Sequence, residues 1–317
     1  MTKETLISKV DFILNPDSPK EMQMFGLKKN SLVPYKINVD QSFAPSIIKV
    51  VEEGIKTIII EANYIIVDYS TADERKNRYY HYDIAEIPAT MKVMSDVIGD
   101  ASIADYNMRE DKIDDLENLI IVISNGADKH FSIYKHLSTI EKIAKSDRAV
   151  IGMLGNRVLK SAGQNLLRIG PSFHVIYTSG NYFLTNESFA ESGFKLHDIL
   201  KREATKLTER LESKKIISDM KKINRYKEDA SFCRKLVRVL KDSRILFEDF
   251  EKTKIFSFLD REPEIASKVS IIEKDGEKFI EVNNKIAAYT LLEILNDEYL
   301  KSEMTGFKYK APDKDKR

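Results

Sequence analysis

The hydrophobic pattern of this chain changes its period near residue 190, and this change limits the folds open to it. Before that point, short apolar and β-branched segments alternate with turn residues, which is typical of strands. After it, apolar residues recur at helical spacing, which predicts an amphipathic helix over 194–212. The pattern therefore predicts an α+β protein, with a β-rich N-terminal domain (1–190) and a more helical, basic C-terminal domain (191–317).

The same patterns predict individual elements within each domain. In the first domain we expect a hairpin around Ser179-Gly180-Asn181, whose residues tolerate positive φ. Strands are expected at 6–14, 33–39, 64–69, 119–124 and 131–135, and helices at 43–54 and 88–98. In the second domain we expect further helices at 231–241 and 285–295 and a strand at 278–282.

The composition of the chain indicates the cellular compartment in which it works. Cys233 is the only cysteine among 317 residues, so no intramolecular disulfide can form, which fits a reducing environment. The first residues lack the apolar core of a signal peptide. The longest aliphatic run, 119–123, is far shorter than the roughly 20 residues that span a bilayer. These features predict a soluble cytoplasmic protein, for which any membrane association requires a partner.

Positive charge is concentrated in one segment of a nearly neutral chain. Residues 195–244 contain 16 basic and 8 acidic residues, a net charge of +8, whereas the whole chain carries +1. The remainder is therefore at −7. Such segregation creates a local positive field that the net charge hides, and a basic stripe is typical of proteins that bind polyanions.

Helical phasing divides the basic residues into three groups. Two groups are stripes opposite the apolar faces of the predicted helices, and no acid interrupts the second stripe within its own helix. On the first helix, Glu203 and Glu209 are close enough to pair with Lys206. The third group lies on the connection between the helices, which we expect to be mobile. The predicted DNA-binding residues are Arg202, Lys206, Arg210; Lys214, Lys215, Lys221, Lys222; and Arg234, Arg238, Lys241.

Two alternatives to nucleic-acid binding explain the same charge. The stripes also fit ordinary solvated helix faces, or a face by which an adaptor docks on an acidic partner or on anionic lipid. The segment contains no zinc-finger spacing, no RNA-recognition-motif aromatic signature and no clear helix-turn-helix. Any contact with DNA is therefore expected to be electrostatic, salt-sensitive and largely independent of sequence.

Catalytic signatures are absent from the sequence, which favours a binding protein over an enzyme and predicts no cofactor. The five histidines form no HxH or HExxH motif, and no phosphate-binding loop or nucleophile elbow is present. The best acidic constellation comprises Asp260, Glu262, Glu264 and Glu273, with Lys268 and Lys274 nearby. Such carboxylates hold Mg²⁺ in metal-dependent nucleases, so this function is the leading enzymatic alternative. A charged loop leading into a helix explains the same residues.

Two stretches resemble a known family. The first runs from Tyr182 to Phe194 and resembles a Y-x-I-x-N…FE…F pattern, with Ala190 in place of the usual Glu or aromatic residue. The second runs from Leu295 to Gly306, followed by Tyr309 and Lys310, and resembles an L-x-D-x-Y-L-x-S-x-L-T-G…Y…K ending, with Met304 replacing Leu. In this order, they are similar to the KwaB family of the Kiwa anti-phage defence system.

The resemblance implies properties that composition and spacing do not. It implies a cytosolic homodimer that binds phage DNA and hinders its replication and transcription. It also implies action with a membrane-embedded partner, KwaA, through which the protein would be recruited to the inner membrane. Neither motif carries a catalytic residue. The terminal motif is expected to pack and to position the C-terminus, with a secondary hypothesis that Lys308, Lys310 and Lys314 contact DNA.

Overall fold

The computed structural model divides the chain into two compact units. Unit 1 comprises Met1–Val67 and Asn77–Phe194, and unit 2 comprises Asp68–Lys76 and Lys195–Arg317. The structure describes residues 2–71, 77–107, 113–126, 129–138, 142–143, 152–154, 157–159, 166–167, 169–247, 250–302 and 304–311. Strands dominate unit 1 and helices dominate unit 2, which confirms the predicted α+β class.

Unit 1 contains four helices, a π-helix and twelve strands within the described residues. The helices are α1 (Lys3–Leu14), α2 (Ala44–Gly54), α3 (Ala89–Asp96) and α4 (Glu187–Gly193), and the π-helix is Ile55–Glu61. The strands are β1 (Glu21–Lys28), β2 (Pro34–Ile37), β3 (Ile65–Asp68), β4 (Arg78–His81), β5 (Leu116–Ser124), β6 (His130–His136), β7 (Lys142–Ile143), β8 (Gly152–Leu154), β9 (Arg157–Leu159), β10 (Leu166–Leu167), β11 (Val175–Thr178) and β12 (Asn181–Leu184).

An eight-stranded sheet organises unit 1. Its strand order is β2-β1-β5-β6-β11-β12-β4-β3, so chain neighbours β1–β2 and β3–β4 lie at opposite ends. The interior strand β5 is buried along most of its length and pairs antiparallel with both β1 and β6. Its apolar side chains join those of α1, α2 and the π-helix in the main core of the unit. The buried run that predicted a strand at 119–124 thus forms an interior strand, third in the order of the sheet.

The N-terminal segment is a helix, so the prediction of a strand at 6–14 is wrong. Leu6, Val10 and Ile13 are fully buried at i, i+4 and i+7, the spacing of one helix face. The Thr2 hydroxyl accepts a hydrogen bond from the backbone N–H of Thr5 and caps the helix start. The mixed run of apolar and polar residues fits a period of 2 nearly as well as 3.6, and the capping threonine is the signal that distinguishes them.

The helix predicted at 43–54 is confirmed as α2, but the chain continues beyond it as a π-helix. The Lys3 ammonium donates to the carbonyl oxygens of Ile60 (2.9 Å) and Ala62 (2.7 Å), which satisfies acceptors at the end of the π-helix. Gly54 marks the junction, where a Cβ atom would lie only 2.3 Å from the carbonyl oxygen of Pro171. Only glycine allows this close backbone approach.

The hairpin predicted around Ser179-Gly180-Asn181 is confirmed by the β11–β12 pair. Ser179 and Gly180 both adopt positive φ, at 48° and 76°, as its two-residue turn requires. The remaining predicted strands and helices of this unit correspond to β2, β3, β5, β6 and α3. Strand β1, which adds a second neighbour to β5, was not predicted.

Unit 2 is built from helices with two small hairpins. The helices are α5 (Leu196–Ser213), α6 (Lys221–Tyr226), α7 (Ala230–Asp242), α8 (Arg244–Phe247), α9 (Lys252–Arg261), α10 (Pro263–Ala266) and α11 (Lys285–Leu295). The strands are β13 (Ser270–Lys274), β14 (Glu277–Glu281), β15 (Tyr299–Lys301) and β16 (Lys308–Lys310). The predicted helices at 194–212, 231–241 and 285–295 and the strand at 278–282 are therefore confirmed.

Helix α7 lies at the centre of unit 2. It packs against α5, against α11 and against a short 3₁₀ turn at Tyr69–Thr71. Phe232, Leu236 and Leu240 on its apolar face are fully buried. A helix with this many neighbours leaves little of its circumference in contact with solvent. No helix within the described ranges is long and apolar enough to cross a bilayer.

Candidate nucleic-acid interface

The basic stripe of α5 faces solvent. The opposite side of this helix buries Leu200, Ala204 and Leu211 in unit 2, so its polar side must point outward. Arg202, Lys206 and Arg210 are all exposed. The Lys206 ammonium lies 3.9 Å from a carboxylate oxygen of Glu203, which confirms the predicted i−3 pair. With a side chain that is 67% exposed, that pair is weak and leaves Lys206 accessible.

The basic connection between α5 and α7 is tied to the rest of unit 2 at several points. The carbonyl oxygen of Ile216 accepts from Ile280 N (2.8 Å), and Ser218 N donates back to Ile280 O (3.1 Å). The Lys222 ammonium donates to the carbonyl of Asn283 at 2.7 Å. The connection that was expected to be mobile therefore has hydrogen-bonded partners on β14 and just beyond it.

The connection nevertheless presents basic side chains to solvent. Lys215, Lys221 and Lys222 are exposed, whereas Lys214 is half-buried. The Lys221 ammonium lies 3.9 Å from Asp219. Arg225, one helical turn beyond Lys221, is also exposed. It was missing from the predicted set, although its i+4 spacing from Lys221 was visible in the sequence.

The stripe on α7 is not the open surface that its sequence suggested. The Arg238 side chain is only 12% exposed, and its guanidinium lies 3.8 Å from the carboxylate of Glu298, whose side chain is fully buried. The Lys241 side chain is 24% exposed and lies 3.7 Å from Glu203 of α5. Arg234 is half-buried. The expectation that this stripe is solvent-facing and unpaired is therefore wrong for Arg238 and Lys241, because acids from other elements reach it.

A buried ion network links α7 to α11 and the C-terminal hairpin. Lys235 of α7 lies 3.1 Å from Glu298 and 3.7 Å from Glu293. Glu293 also accepts hydrogen bonds from the Tyr299 hydroxyl (2.6 Å) and the Lys310 ammonium (2.5 Å). Carboxylates with several partners of this kind can remain charged although they are buried.

The network shifts the pKa values of its members in opposite directions. Burial raises the pKa of Glu293, but hydrogen bonds from Lys310 and Tyr299 and the charge of Lys235 outweigh it, so the net shift is downward. Burial, followed by the hydrogen bond to the Glu293 carboxylate, raises the pKa of Tyr299 above its ordinary value. The network therefore keeps Glu293 ionised and Tyr299 protonated at neutral pH.

The start of the terminal motif packs as expected, whereas Leu300, Met304 and Tyr309 within it are exposed. Leu295 is fully buried, and Ala311 N donates to the backbone carbonyl of Glu298 at 2.8 Å. Lys308, proposed as a secondary DNA contact with Lys310 and Lys314, lies 2.6 Å from Glu262. Lys310 pairs with Glu293, and Lys314 lies outside the described residues.

The other family-like motif packs within unit 1. Phe189 stacks on His174 with ring centroids 4.3 Å apart, and it also contacts the rings of His136 and Phe194. The backbone N–H of His136 donates to Nδ1 of His174 at 3.1 Å. These histidines therefore serve as packed and hydrogen-bonded groups next to the sheet.

The carboxylates proposed for a nuclease centre do not converge. Asp260 lies 3.8 Å from Lys278, and Glu262 is paired with Lys308. Glu264 and Glu273 do not join them: across the part of the chain that the structure describes, no three His, Cys, Asp or Glu side chains come close enough together to hold a metal ion. The metal cluster predicted from Asp260, Glu262 and Glu273 is therefore wrong.

Cys233 is a core residue of α7. It is fully buried, and burial raises the pKa of its thiol to about 11. A thiol in this environment is a poor nucleophile at neutral pH. The structure therefore supports packing, rather than reactivity, as the role of this residue.

Comparisons with known proteins agree on one relationship. A family model described as Kiwa protein KwaB-like matches residues 113–305, more than half of the chain. A curated relative from Escherichia coli O55:H7 (strain RM12579 / EPEC), called Kiwa protein KwaB, is 23% identical over 250 residues. That alignment covers 78% of this chain and 78% of the relative. No solved structure matches the chain.

Proposed function

This chain belongs to the Kiwa protein KwaB-like family, and on that premise we propose that it is an anti-phage defence protein that binds DNA largely without sequence specificity. The observation that carries the proposal is the exposed basic surface of unit 2. It consists of the α5 stripe and the exposed cations of the connection: Arg202, Lys206, Arg210, Lys215, Lys221, Lys222 and Arg225.

The geometry of the α5 stripe fits a phosphate backbone. Residues four apart on a helix are separated by about 6 Å along its axis, so Arg202 and Arg210 are about 12 Å apart. Each strand of duplex DNA presents one phosphate charge per about 3.4 Å, so this length faces roughly three to four phosphates of one strand. Arginine and lysine contacts of this kind position a protein on DNA without reading its bases.

The covered stripe of α7 has a supporting role in this proposal. Arg238 and Lys235 are already engaged by Glu298, so their contribution to DNA affinity is small. We include Arg234, Arg238 and Lys241 only as secondary DNA contacts, because the carboxylates of Glu298 and Glu203 offset the charges of Arg238 and Lys241. The primary contacts are those of α5 and the connection.

The biological consequence that we propose follows from non-specific binding. A protein that neutralises many phosphates on phage DNA obstructs the polymerases that must move along it, which hinders replication and transcription. We further propose that the chain acts as a homodimer, together with a membrane-embedded partner of the KwaA type. A dimer doubles the number of phosphate contacts and thereby steepens the dependence on salt.

A duplex-binding assay across a salt series tests the proposal. The key variant combines Arg202→Glu, Lys206→Glu and Arg210→Glu. Its matched control combines Lys49→Glu, Lys56→Glu and Lys92→Glu, which reverse three exposed lysines of unit 1 and change the net charge equally. Between 50 and 200 mM salt, the α5 variant should lose about 2.7 from the log–log salt slope, or 0.9 for each phosphate contact. The control should retain the parental slope.

Two outcomes would refute this assignment. Equal losses in both variants would mean that overall charge, rather than the α5 surface, governs affinity. A parental protein that binds no duplex at 50 mM salt, yet retains an acidic protein partner after nuclease treatment, would favour the adaptor function.

A further inference from the structure

The turn that follows α5 holds a lysine in a backbone conformation that few lysines adopt. Lys215 has a φ of 49°, in the left-handed region, directly after the residue that ends the helix, Lys214. Glycine or asparagine usually occupies this place, because a Cβ atom disfavours left-handed backbone. A lysine kept here indicates that its side chain has a use, and Lys215 is exposed to solvent.

Hydrogen bonds on both sides of Lys215 hold the turn in place. Its backbone N–H donates to the carbonyl oxygen of Glu212 at 3.0 Å, in the last turn of α5. The next residue, Ile216, is buried, and its carbonyl oxygen accepts from the backbone N–H of Ile280 on β14. The backbone at Lys215 is therefore fixed by α5 before it and by β14 after it.

The carbonyl oxygen of Lys215 accepts a hydrogen bond from the ammonium group of Lys252 on α9, at 3.3 Å. The same ammonium donates to the carboxylate of Glu277 at 2.6 Å and lies 4.3 Å from the centre of the Phe279 ring. An ammonium group has three N–H bonds, so these three contacts match its donor capacity. With a side chain that is only 22% exposed, Lys252 is an internal bridge between the turn, α9 and β14.

Lys252 also occupies the carboxylate that would otherwise attract Lys215. The hydrogen bond from Lys252 is the largest influence that lowers the pKa of Glu277, followed by the charge of Lys252, and the charge of Lys215 lowers it further. Lys215 is thus near enough to Glu277 to be an alternative partner for it. Because Lys252 already binds this carboxylate, the Lys215 ammonium stays available to an external anion.

We propose that Lys252 is a positioning residue for DNA binding, which fixes Lys215 where a phosphate of duplex DNA reaches it and does not itself touch the DNA. The inference rests on the DNA-binding function proposed above. A cation that is already in place binds without the loss of conformational freedom that ordering a mobile turn requires. Lys215 therefore contributes affinity, and Lys252 determines how much.

A duplex is the ligand that gains most from a cation in a fixed place. Duplex DNA is stiff over about 150 base pairs, so its phosphates keep their positions along the helix. A single strand is flexible and brings its phosphates to a cation that has moved. We therefore expect displacement of Lys215 to weaken the binding of duplexes and to leave the binding of single strands unaltered.

The salt dependence of duplex binding between about 50 and 200 mM salt tests this role. Lys252→Met should lower the log–log slope by about 0.9, the value of one phosphate contact, because Lys215 turns to Glu277. Lys252→Arg keeps the charge and the donors and should retain the parental slope. The matched control Lys254→Met removes the same charge from an exposed residue of α9 and should also retain it.

A double-variant cycle separates positioning from direct contact. Lys215→Ala should lower the slope by about 0.9, and the addition of Lys252→Met should lower it no further. If Lys252 itself contacted a phosphate, the two losses would add to about 1.8. For an oligothymidylate of about 20 nucleotides, Lys252→Met should retain the parental slope.

Hydrogen exchange in the absence of DNA gives a second measurement. In Lys252→Met the amides of 214–222 should exchange faster than in the parental protein, because the turn opens more often. Lys254→Met should leave their exchange unchanged. Parental exchange rates in α7 and α11 of the same variant would show that unit 2 remains folded.

The results distinguish this inference from the proposal on which it rests. A parental slope in Lys252→Met, additive losses in the double variant, or equal losses for duplex and single strand would each overturn the positioning role. So would unchanged hydrogen exchange of 214–222 in Lys252→Met. In all these cases, duplex binding that depends on α5 leaves the proposed function intact. If the parental protein binds no duplex, both proposals fail.

Discussion

Helices α5 and α7 carry basic stripes of nearly the same sequence pattern, yet the two stripes differ in their exposure to solvent within unit 2. The α5 cations Arg202, Lys206 and Arg210 are exposed. On α7, Arg238 and Lys241 are largely covered and lie beside carboxylates from other elements. The difference arises because α5 has one packed side, whereas α7 is surrounded by α5, α11 and the Tyr69–Thr71 turn. Helical spacing therefore identifies a charged face without indicating whether solvent reaches it.

The largest expected effect is a loss of stability when the ion pairs of the covered α7 stripe are broken. Glu298→Gln removes a buried carboxylate and leaves Lys235 and Arg238 with less compensation for their positive charges. Removing one partner of a buried ion pair typically costs about 3 kcal/mol or more, so the free energy of unfolding in urea should fall by about 3 kcal/mol. Glu209→Gln, an exposed acid on α5, should change it by less than about 0.5 kcal/mol. Equal effects of the two substitutions would remove the contrast between the helices.

Acidification should act through the covered stripe as well. The pKa of Glu293 is lowered in the folded chain, so its stabilising contribution is complete above the unfolded value of about 4.3. That contribution is lost as the pH falls through the folded pKa. The decrease in urea stability from pH 5 to pH 3 should therefore be smaller in Glu293→Gln than in the parental protein. If stability in urea falls equally with pH in the two proteins, the prediction is wrong, because Glu293 then has the same pKa in the folded and unfolded chain.

Glu203 connects the two stripes, because it lies near Lys206 of its own helix and Lys241 of α7. Glu203→Gln should lower the free energy of unfolding by at most about 1 kcal/mol, as expected for partly exposed pairs. It should steepen the log–log salt slope of duplex binding by about 0.9, equivalent to one added phosphate contact. Glu209→Gln changes the charge of the same helix equally and controls for the general field. If it has the same effect, direct pairing is not the cause.

The smallest effect concerns chemical reactivity on α7. With the pKa of Cys233 raised to about 11 by burial, roughly one thiol in a thousand is ionised at pH 8. Its reaction with a thiol reagent should be slow in the parental protein and at least tenfold faster in Glu298→Gln, where α7 is less firmly held. Fast labelling of the parental protein would contradict the buried position of this helix.

Helical spacing in the sequence correctly predicted which residues share a face on α5 and on α7. It did not predict that other elements of unit 2 cover the basic face of α7. The amphipathic spacing and the absence of acids within 231–241 were correct observations about the segment itself. The partners lie far away in the sequence: Glu298 follows Lys235 by 63 residues, and Glu203 comes from the preceding long helix. Tertiary contacts over such distances leave no periodic signal. The same limit explains why the terminal motif could be expected to pack, while its ion network could not be anticipated.

The N-terminal helix and the hairpin illustrate two other limits. Residues 6–14 satisfied both a strand and a helix period, and the deciding information was the cap at Thr2. For the C-terminal hairpin, alternation alone would place Leu300 and Tyr309 inward. Instead, Leu300 and Tyr309 are exposed, and Glu293 and Glu262 bind Tyr299, Lys308 and Lys310 on the other face. The side chains of Lys308 and Lys310 remain 62% and 51% exposed, so both faces of the hairpin meet solvent.

The strand order of the large sheet has a consequence for synthesis of the chain on the ribosome. The two ends of the sheet, β1–β2 and β3–β4, emerge first, and the strands between them emerge last. Strand β1 ends at Lys28 and its partner β5 begins at Leu116, so at about 5–20 residues per second it waits roughly 4 to 18 seconds. During this interval the nascent chain exposes apolar strand segments that cannot yet pair with the centre of their sheet. We therefore expect nascent unit 1 to depend on chaperone holding until β6 and the β11–β12 hairpin have left the exit tunnel.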